Sequence, residues 1–255
     1  LTAFNSDGFS WGSYGSGATF VGWAWDAGTS TVSNTQGSIT SQVRANATAG
    51  FSVVTMTYSS GTVTVGHGLG VAPQMIIVKR RNTTGNWYVA HTGLTNMSGY
   101  YILLESTAAQ GAANWGSAPT STVFGMTGSI FGAGDYVAYC FAPVVGYSSA
   151  FSYTGNGSSD GPFVYLGFRP RFIIQKRTDS AGSWLLIDTA RDPVNVARNE
   201  MFANSSAAEY DNTSLVDVLS NGFKIRATFA NMNASSGSFI GYAFAEMPFN
   251  YSRAR

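Results

Sequence analysis

Charge is scarce in this chain. Its 255 residues include 14 Lys and Arg and 13 Asp and Glu, together 11%, against the ~25% of an ordinary globular protein. At a net charge of +1 there is no overall basic field for nucleic acid and no acidic tail. Solubility therefore rests on hydroxyls and amides. Cysteine is nearly absent too: Cys140, inside "DYVAYCFAPV", has no partner for an internal disulfide and reads as a small apolar strand residue. No apolar run approaches the ~18 residues of a membrane span, so no membrane insertion is expected. No basic stretch followed by an apolar core marks a signal peptide. Of the two histidines, His67 and His91, neither has a second imidazole or a thiol at metal-ligand spacing, which excludes a zinc motif. No glycine-rich loop ends in Lys-Ser/Thr. No metal and no cofactor is expected.

What the chain does have is a repeat. "GLGVAPQMIIVKRRNTTGNWYVA" from Gly68 and "YLGFRPRFIIQKRTDSAGSWLLI" from Tyr165 agree without gaps at a separation of 97. That offset joins Pro73 to Pro170, Lys79 to Lys176, Arg80 to Arg177 and Trp87 to Trp184. Downstream, "YVAYCFAPV" from Tyr136 answers "FIGYAFAEM" from Phe239, alternating aromatic and small residues. The start of the chain, "SDGFSWGSYGSGATFVGWAW", parallels "SNGFKIRATFANMNASSGSFIGYAF" from Ser220. The expected organisation is thus the closing strands of a truncated preceding unit at 1–26 and a polar connector at 27–50. Full units follow at 51–147 and 148–255, the second ending at the natural C-terminus. One edge strand is expected in the connector around 39–43, and the short junction "PVVGYSSAF" predicts a compact pair.

Within a unit the period is two. "SVVTMTY", "QMIIVKR", "WYVAH", "YYILLES" and "DYVAYCFA" are short runs of β-branched and aromatic residues bounded by Gly, Asn, Ser or Pro. The prolines precede a strand, where a missing N–H costs nothing, and Gly70 and Gly167 supply turn freedom. The fold class expected is all-β: tandem antiparallel β-sandwich repeats, two full units plus the closing hairpin of a preceding one. The segment 192–203 is expected to hold one helical turn. Proline, the paired isoleucines and tryptophan are scaffold. The basic pair stays open between a solvated strand end, a salt bridge to a neighbouring unit, and a docking point for an anionic glycan.

Candidate chemistry is thin. His91 has Asp188 as its counterpart in the second copy, again 97 residues on. Carboxylates cluster in the last unit, from Asp160 to Asp217, mostly in turn contexts such as "ARDP" and "EYDN", where Asp bonds its own backbone. No catalytic residues are assigned. Binding is easier to argue, since the two longest irregular stretches, 106–122 and 203–214, carry an aromatic among amides and hydroxyls. Asn114, Trp115, Tyr210 and Asn212 are the candidate receptor-contacting residues.

The stretches "GHGLGVAPQMIIVKR", "SYTGNGSSDGPFVYLGFRPRFIIQKRTDSAGSW", "IDTARDP", "SNGFKIR" and the ending "AFAEMPFNYSRAR" resemble a recurrent C-terminal repeat region of tailed-bacteriophage structural proteins. That region is often left as a domain of unknown function. The resemblance spans about Ser6 to Arg255 and implies a virion-surface tail-fibre or adhesin module, trimeric as such fibres usually are. It would sit among other virion proteins and contact a host-surface glycan or outer-membrane protein. A virion component released by lysis reaches the exterior without a secretion signal. A second reading is an assembly role in a capsid fibre, neck or decoration protein. A third is a polysaccharide depolymerase, for which Asp188 and Asp192 would be the carboxylates to test.

Overall fold

The computed structural model describes residues 2–5, 8–12, 17 and 19–246. The chain starts with a hairpin of β1 (Ala3–Asn5) and β2 (Gly8–Ser10), followed by β3 (Thr31–Asn34) and β4 (Ser41–Asn46). The first full repeat contains β5 (Phe51–Tyr58), β6 (Thr62–Gly66), β7 (Met75–Arg80), β8 (Trp87–His91), β9 (Tyr100–Leu103), β10 (Gly111–Ala112), β11 (Val123–Thr127) and β12 (Gly134–Phe141). The second contains β13 (Ser148–Thr154), β14 (Phe163–Tyr165), β15 (Pro170–Arg177), β16 (Leu185–Asp188), β17 (Ala197–Phe202), β18 (Tyr210–Leu219) and β19 (Gly222–Ile225). Helix α1 (Ala230–Asn233) and β20 (Ser238–Ala245) complete it. The fold is all-β, as the sequence predicts.

The two copies share one topology. In the first the strand order is β10-β9-β8-β7-β12-β5-β4-β3, with β11-β6 as a separate pair. In the second it is β13-β20-β15-β16-β17-β18-β19-β14. Thus β5, β12, β7, β8 and β9 correspond to β13, β20, β15, β16 and β17, and β6–β11 corresponds to β14–β19. The difference lies in β18, ten residues long against two for β10. It pairs with β17 at one end and β19 at the other, joining the two sheets of its sandwich.

Strand alternation explains the packing. In β7, Ile76 and Val78 face the first unit's own core, while Met75 and Ile77 face the other way. In β15, Ile173 faces the second unit's core and Phe172 and Ile174 face out. The aromatic–small alternation of β12 and β20 has the same cause. Ala138, Cys140, Ala243 and Ala245 point inward, and Tyr139, Phe141, Tyr242 and Phe244 point outward. Those outward faces pack on each other. Phe141 lies 5.6 Å from Tyr242 and 6.0 Å from Phe244, so the central sheets are covered on both sides and the repeats form one four-layered block. Small inward residues let the backbone come close. A Cβ on Gly241 would stand 2.3 Å from the Phe151 ring.

Gly70 and Gly167 adopt φ of 72° and 81°, as the turns before β7 and β15 require. Trp23 and Trp25 lie in irregular chain, yet their rings enter the seam between the repeats. Trp25 is 5.7 Å from Phe172 and 5.6 Å from Phe244. The polar segment 27–50 carries two strands, and β4 pairs with β5 along its length. The turn read at Asp7 and the ending at 247–255 lie outside the described residues.

Two local expectations are corrected. The segment 192–203 holds no helical turn. The Asp192 side chain accepts the N–H groups of Arg198 and Asn199, and β17 is drawn into the ladder between β16 and β18. The irregular stretch expected through 214 ends sooner, because strand β18 begins at Tyr210.

Candidate functional site

The sequence candidates separate. Trp115 is 1% exposed and packs edge-on to Phe131 at 5.2 Å, inside the first core. Asn114 is at the surface, and its Oδ1 accepts the Gly116 N–H at 3.1 Å. Tyr210 is 58% exposed at the head of β18. Asn212 is half-buried, and its side chain bonds the buried Glu200, whose carboxyl burial pushes upward. Of the two aromatic candidates, only Tyr210 presents a ring to solvent.

The repeated basic pair has two fates. Lys176 is fully buried; its Nζ donates to Thr107 O at 3.2 Å and Arg177 O at 2.9 Å. Burial, with Arg177 nearby, lowers its pKa to about 8. Trp184, 1% exposed, donates its Nε1–H to Leu103 O at 2.8 Å. The loop after β9 closes this corner, adding Gly182 N to Thr107 O at 2.8 Å and Gln110 N to Thr178 O at 2.9 Å. Arg177 is held by Asp179 through bonds of 3.0 and 2.9 Å. In the first copy, Lys79 donates to Gly85 O at 2.9 Å and stands 5.9 Å over the Trp87 ring. Trp87 stacks on Tyr139 at 6.4 Å and remains half-buried.

The two histidines, Asp188 and Asp192 bond the surrounding backbone. His67 Nδ1 accepts the Leu69 N–H and Nε2 faces Thr120 O at 3.1 Å. His91 Nδ1 accepts the Gly93 N–H at 2.9 Å, so Nε2 donates to Gly241 O at 3.0 Å across the seam. Asp188, its counterpart, likewise accepts the Ala190 N–H two residues on, at 3.0 Å, and pairs with Arg191 at 2.6 Å. Burial lowers the His91 pKa to about 4 and raises the Cys140 thiol to about 12. Asp188 and Asp192 are both engaged with backbone N–H groups. Among the described residues no three His, Cys, Asp or Glu side chains converge as metal ligands.

A cleft of about 340 Å³ opens beside β4 and β5 of the first unit, lined by Thr40, Gln42, Thr55, Thr57, Arg81 and Asp135 with Ile39 and with Met56, whose side chain turns into the first core. Strand register builds it. Gln42 pairs with Thr55 and Thr57 with Asp135, and the Arg81 N–H donates to Asp135 O at 2.7 Å. Thr57 Oγ1 donates to Asp135 Oδ1 at 2.7 Å. The Arg81 guanidinium is exposed and has no ion-pair partner among the described residues. The sequence reading passed over this set. Its signal was there in "KRRN" and in the alternating threonines of "SVVTMTY".

A family model for a domain of unknown function, DUF7483, matches residues 1–248. The chain belongs to that family. The DUF7483 match spans both repeats and the residues before them as one domain, in keeping with Trp23 and Trp25 packing into the seam. No curated protein and no solved structure matches the chain.

Proposed function

We propose that this DUF7483 chain is a non-catalytic binding module of an exposed virion protein, of the tail-fibre or adhesin kind, contacting a host-surface glycan or protein. The observation that carries the binding half is the unequal use of the repeat. One copy of the Lys–Trp corner is sealed by its neighbour, and the other stays open beside a polar cleft. A rigid four-layer block with few charges suits a stalk or tip that must keep its shape outside a cell. The resemblance to tailed-phage structural proteins supplies the virion setting and a trimer. The test is competition: the purified chain should block adsorption of the phage that carries it, and sedimentation should give three chains per particle. Failure to bind host cells removes the receptor role.

One observation favours the assembly reading as well. Phe4, Phe9, Trp11 and Phe20 of the N-terminal segment are 83%, 41%, 53% and 58% exposed, and Trp11 lies 5.7 Å from Phe20. An aromatic cluster so open suits contact with another protein chain. Electron microscopy of the particle would separate the readings, since an assembly role puts this cluster against a virion neighbour and the Arg81 cleft away from the distal tip.

A further inference from the structure

We infer that the cleft beside Arg81 binds saccharides bearing a carboxylate. This rests on the binding reading above and names its ligand class. The lining supplies what a sugar ring needs. The hydroxyls of Thr40 and Thr55 each donate and accept, the Gln42 amide does both, and Thr57, whose proton goes to Asp135, accepts, matching neighbouring sugar hydroxyls. Ile39, half-buried beside the threonines, gives an apolar contact for ring C–H groups. The volume, about 340 Å³, lies within the range of small-ligand sites.

Arg81 sets the charge. Its planar fork matches a carboxylate with two parallel hydrogen bonds, and among the described residues no carboxylate pairs with it. The same holds for its neighbours: Arg44 bonds Gly28 O, Lys79 bonds Gly85 O, and Arg80 bonds Asn82 Oδ1 and Ala133 O. Every ion pair among the described residues lies in the second unit. The first unit thus offers an unspent positive edge next to a row of hydroxyls. Asp135 selects against a phosphate: a dianion would meet its carboxylate, whereas a monoanionic sugar can place a hydroxyl there as donor. Among the described residues the second copy does not repeat the site. Thr178 stands in place of Arg81 and Ser238 in place of Asp135, and no strand flanks β13 as β4 flanks β5.

The experiment is calorimetric titration of the whole chain with hexameric oligogalacturonate, neutral maltohexaose and inorganic phosphate, at about 50 and about 500 mM salt. Wild type is compared with Arg81→Ala and Thr55→Val; the exposed Arg81 guanidinium makes no hydrogen bond or ion pair among the described residues, and circular dichroism checks both variants. The acidic oligomer should bind at least about tenfold tighter than the neutral one, weaken with salt, and lose at least about tenfold in Arg81→Ala. Equal binding of the neutral oligomer, an unaffected Arg81→Ala, phosphate competing as well as the sugar, or no binding by any probe at millimolar concentration would each overturn the inference. Adsorption competition with the same proteins separates the two ideas. If wild type and Arg81→Ala compete equally, the site assignment is overturned and the binding module stands. If neither competes yet the acidic sugar binds through Arg81, the site stands and the adhesin reading goes.

Discussion

Lys79 beside Trp87 and Lys176 beside Trp184 are the same corner written twice, and the molecule treats them oppositely. Both lie where an antiparallel strand ends in a glycine-containing hairpin turn. At Lys176 the loop after β9 folds over the corner and supplies carbonyl acceptors to the ammonium and to the Trp184 indole. At Lys79 no such cover arrives, and cation and ring satisfy each other at the surface. The difference teaches that one scaffold motif serves as glue in one copy and as exposed surface in the other. The two copies share backbone topology but not surroundings.

Substitution at the tryptophans should expose that difference most. Trp184→Ala removes a fully buried ring and should cost about 3–5 kcal/mol, while Trp87→Ala should cost about 1 kcal/mol; urea denaturation measures both. Equal costs would mean that the corners are alike. Acid gives the next effect. A folded His91 pKa near 4 against the ordinary 6.5 means that the unfolded chain binds more protons between those values. Stability is therefore intact above pH 6.5 and falls on acidification toward pH 4, by about 3 kcal/mol for this group. His67, shifted in the same direction by burial, adds to the fall. A His91→Gln variant should lose visibly less across that window.

Trp25→Ala, which empties part of the seam end between Phe172 and Phe244, should cost about 2 kcal/mol and speed amide exchange at Tyr147 and Ala150, which border the same cluster. The lysines give the smallest change. Lys176→Met removes a buried charge but strands two carbonyls, so the net effect at pH 7 should be within about 1 kcal/mol; Lys79→Met should stay within about 0.5 kcal/mol. The pH profile separates them. With a folded pKa near 8 against 10.5, wild-type stability rises between those values, because the unfolded lysine keeps its proton longer. The rise should vanish in Lys176→Met and persist in Lys79→Met.

Much of the fold was legible. Period-two runs, Pro73, Pro170 and the Gly70 and Gly167 turns are local signals, and local hydrogen bonding makes strands of them. Trp115 was harder: its Asn, Gly, Ser and Ala neighbours read as a surface loop, but a large apolar ring gains more by packing on Phe131. Within 192–203 the chain forms strand β17 because Asp192 fixes the turn before it and two neighbouring strands supply the ladder, outweighing a weak local preference. Arg81 escaped notice because only the repeated pair drew attention, while its cleft depends on β4 lying against β5.

By itself the sequence determined two copies of one strand order and the aromatic–small alternation of β12 and β20, since backbone pairing and side-chain period are properties of a few adjacent residues. Only the tertiary structure decided that the aromatic faces meet each other, that Lys176 is sealed while Lys79 is not, and that Arg81 fronts a cleft. Those outcomes turn on contacts such as Lys176 with Thr107, 69 positions apart, where the energy of covering a surface depends on which segment of chain is brought to lie over it.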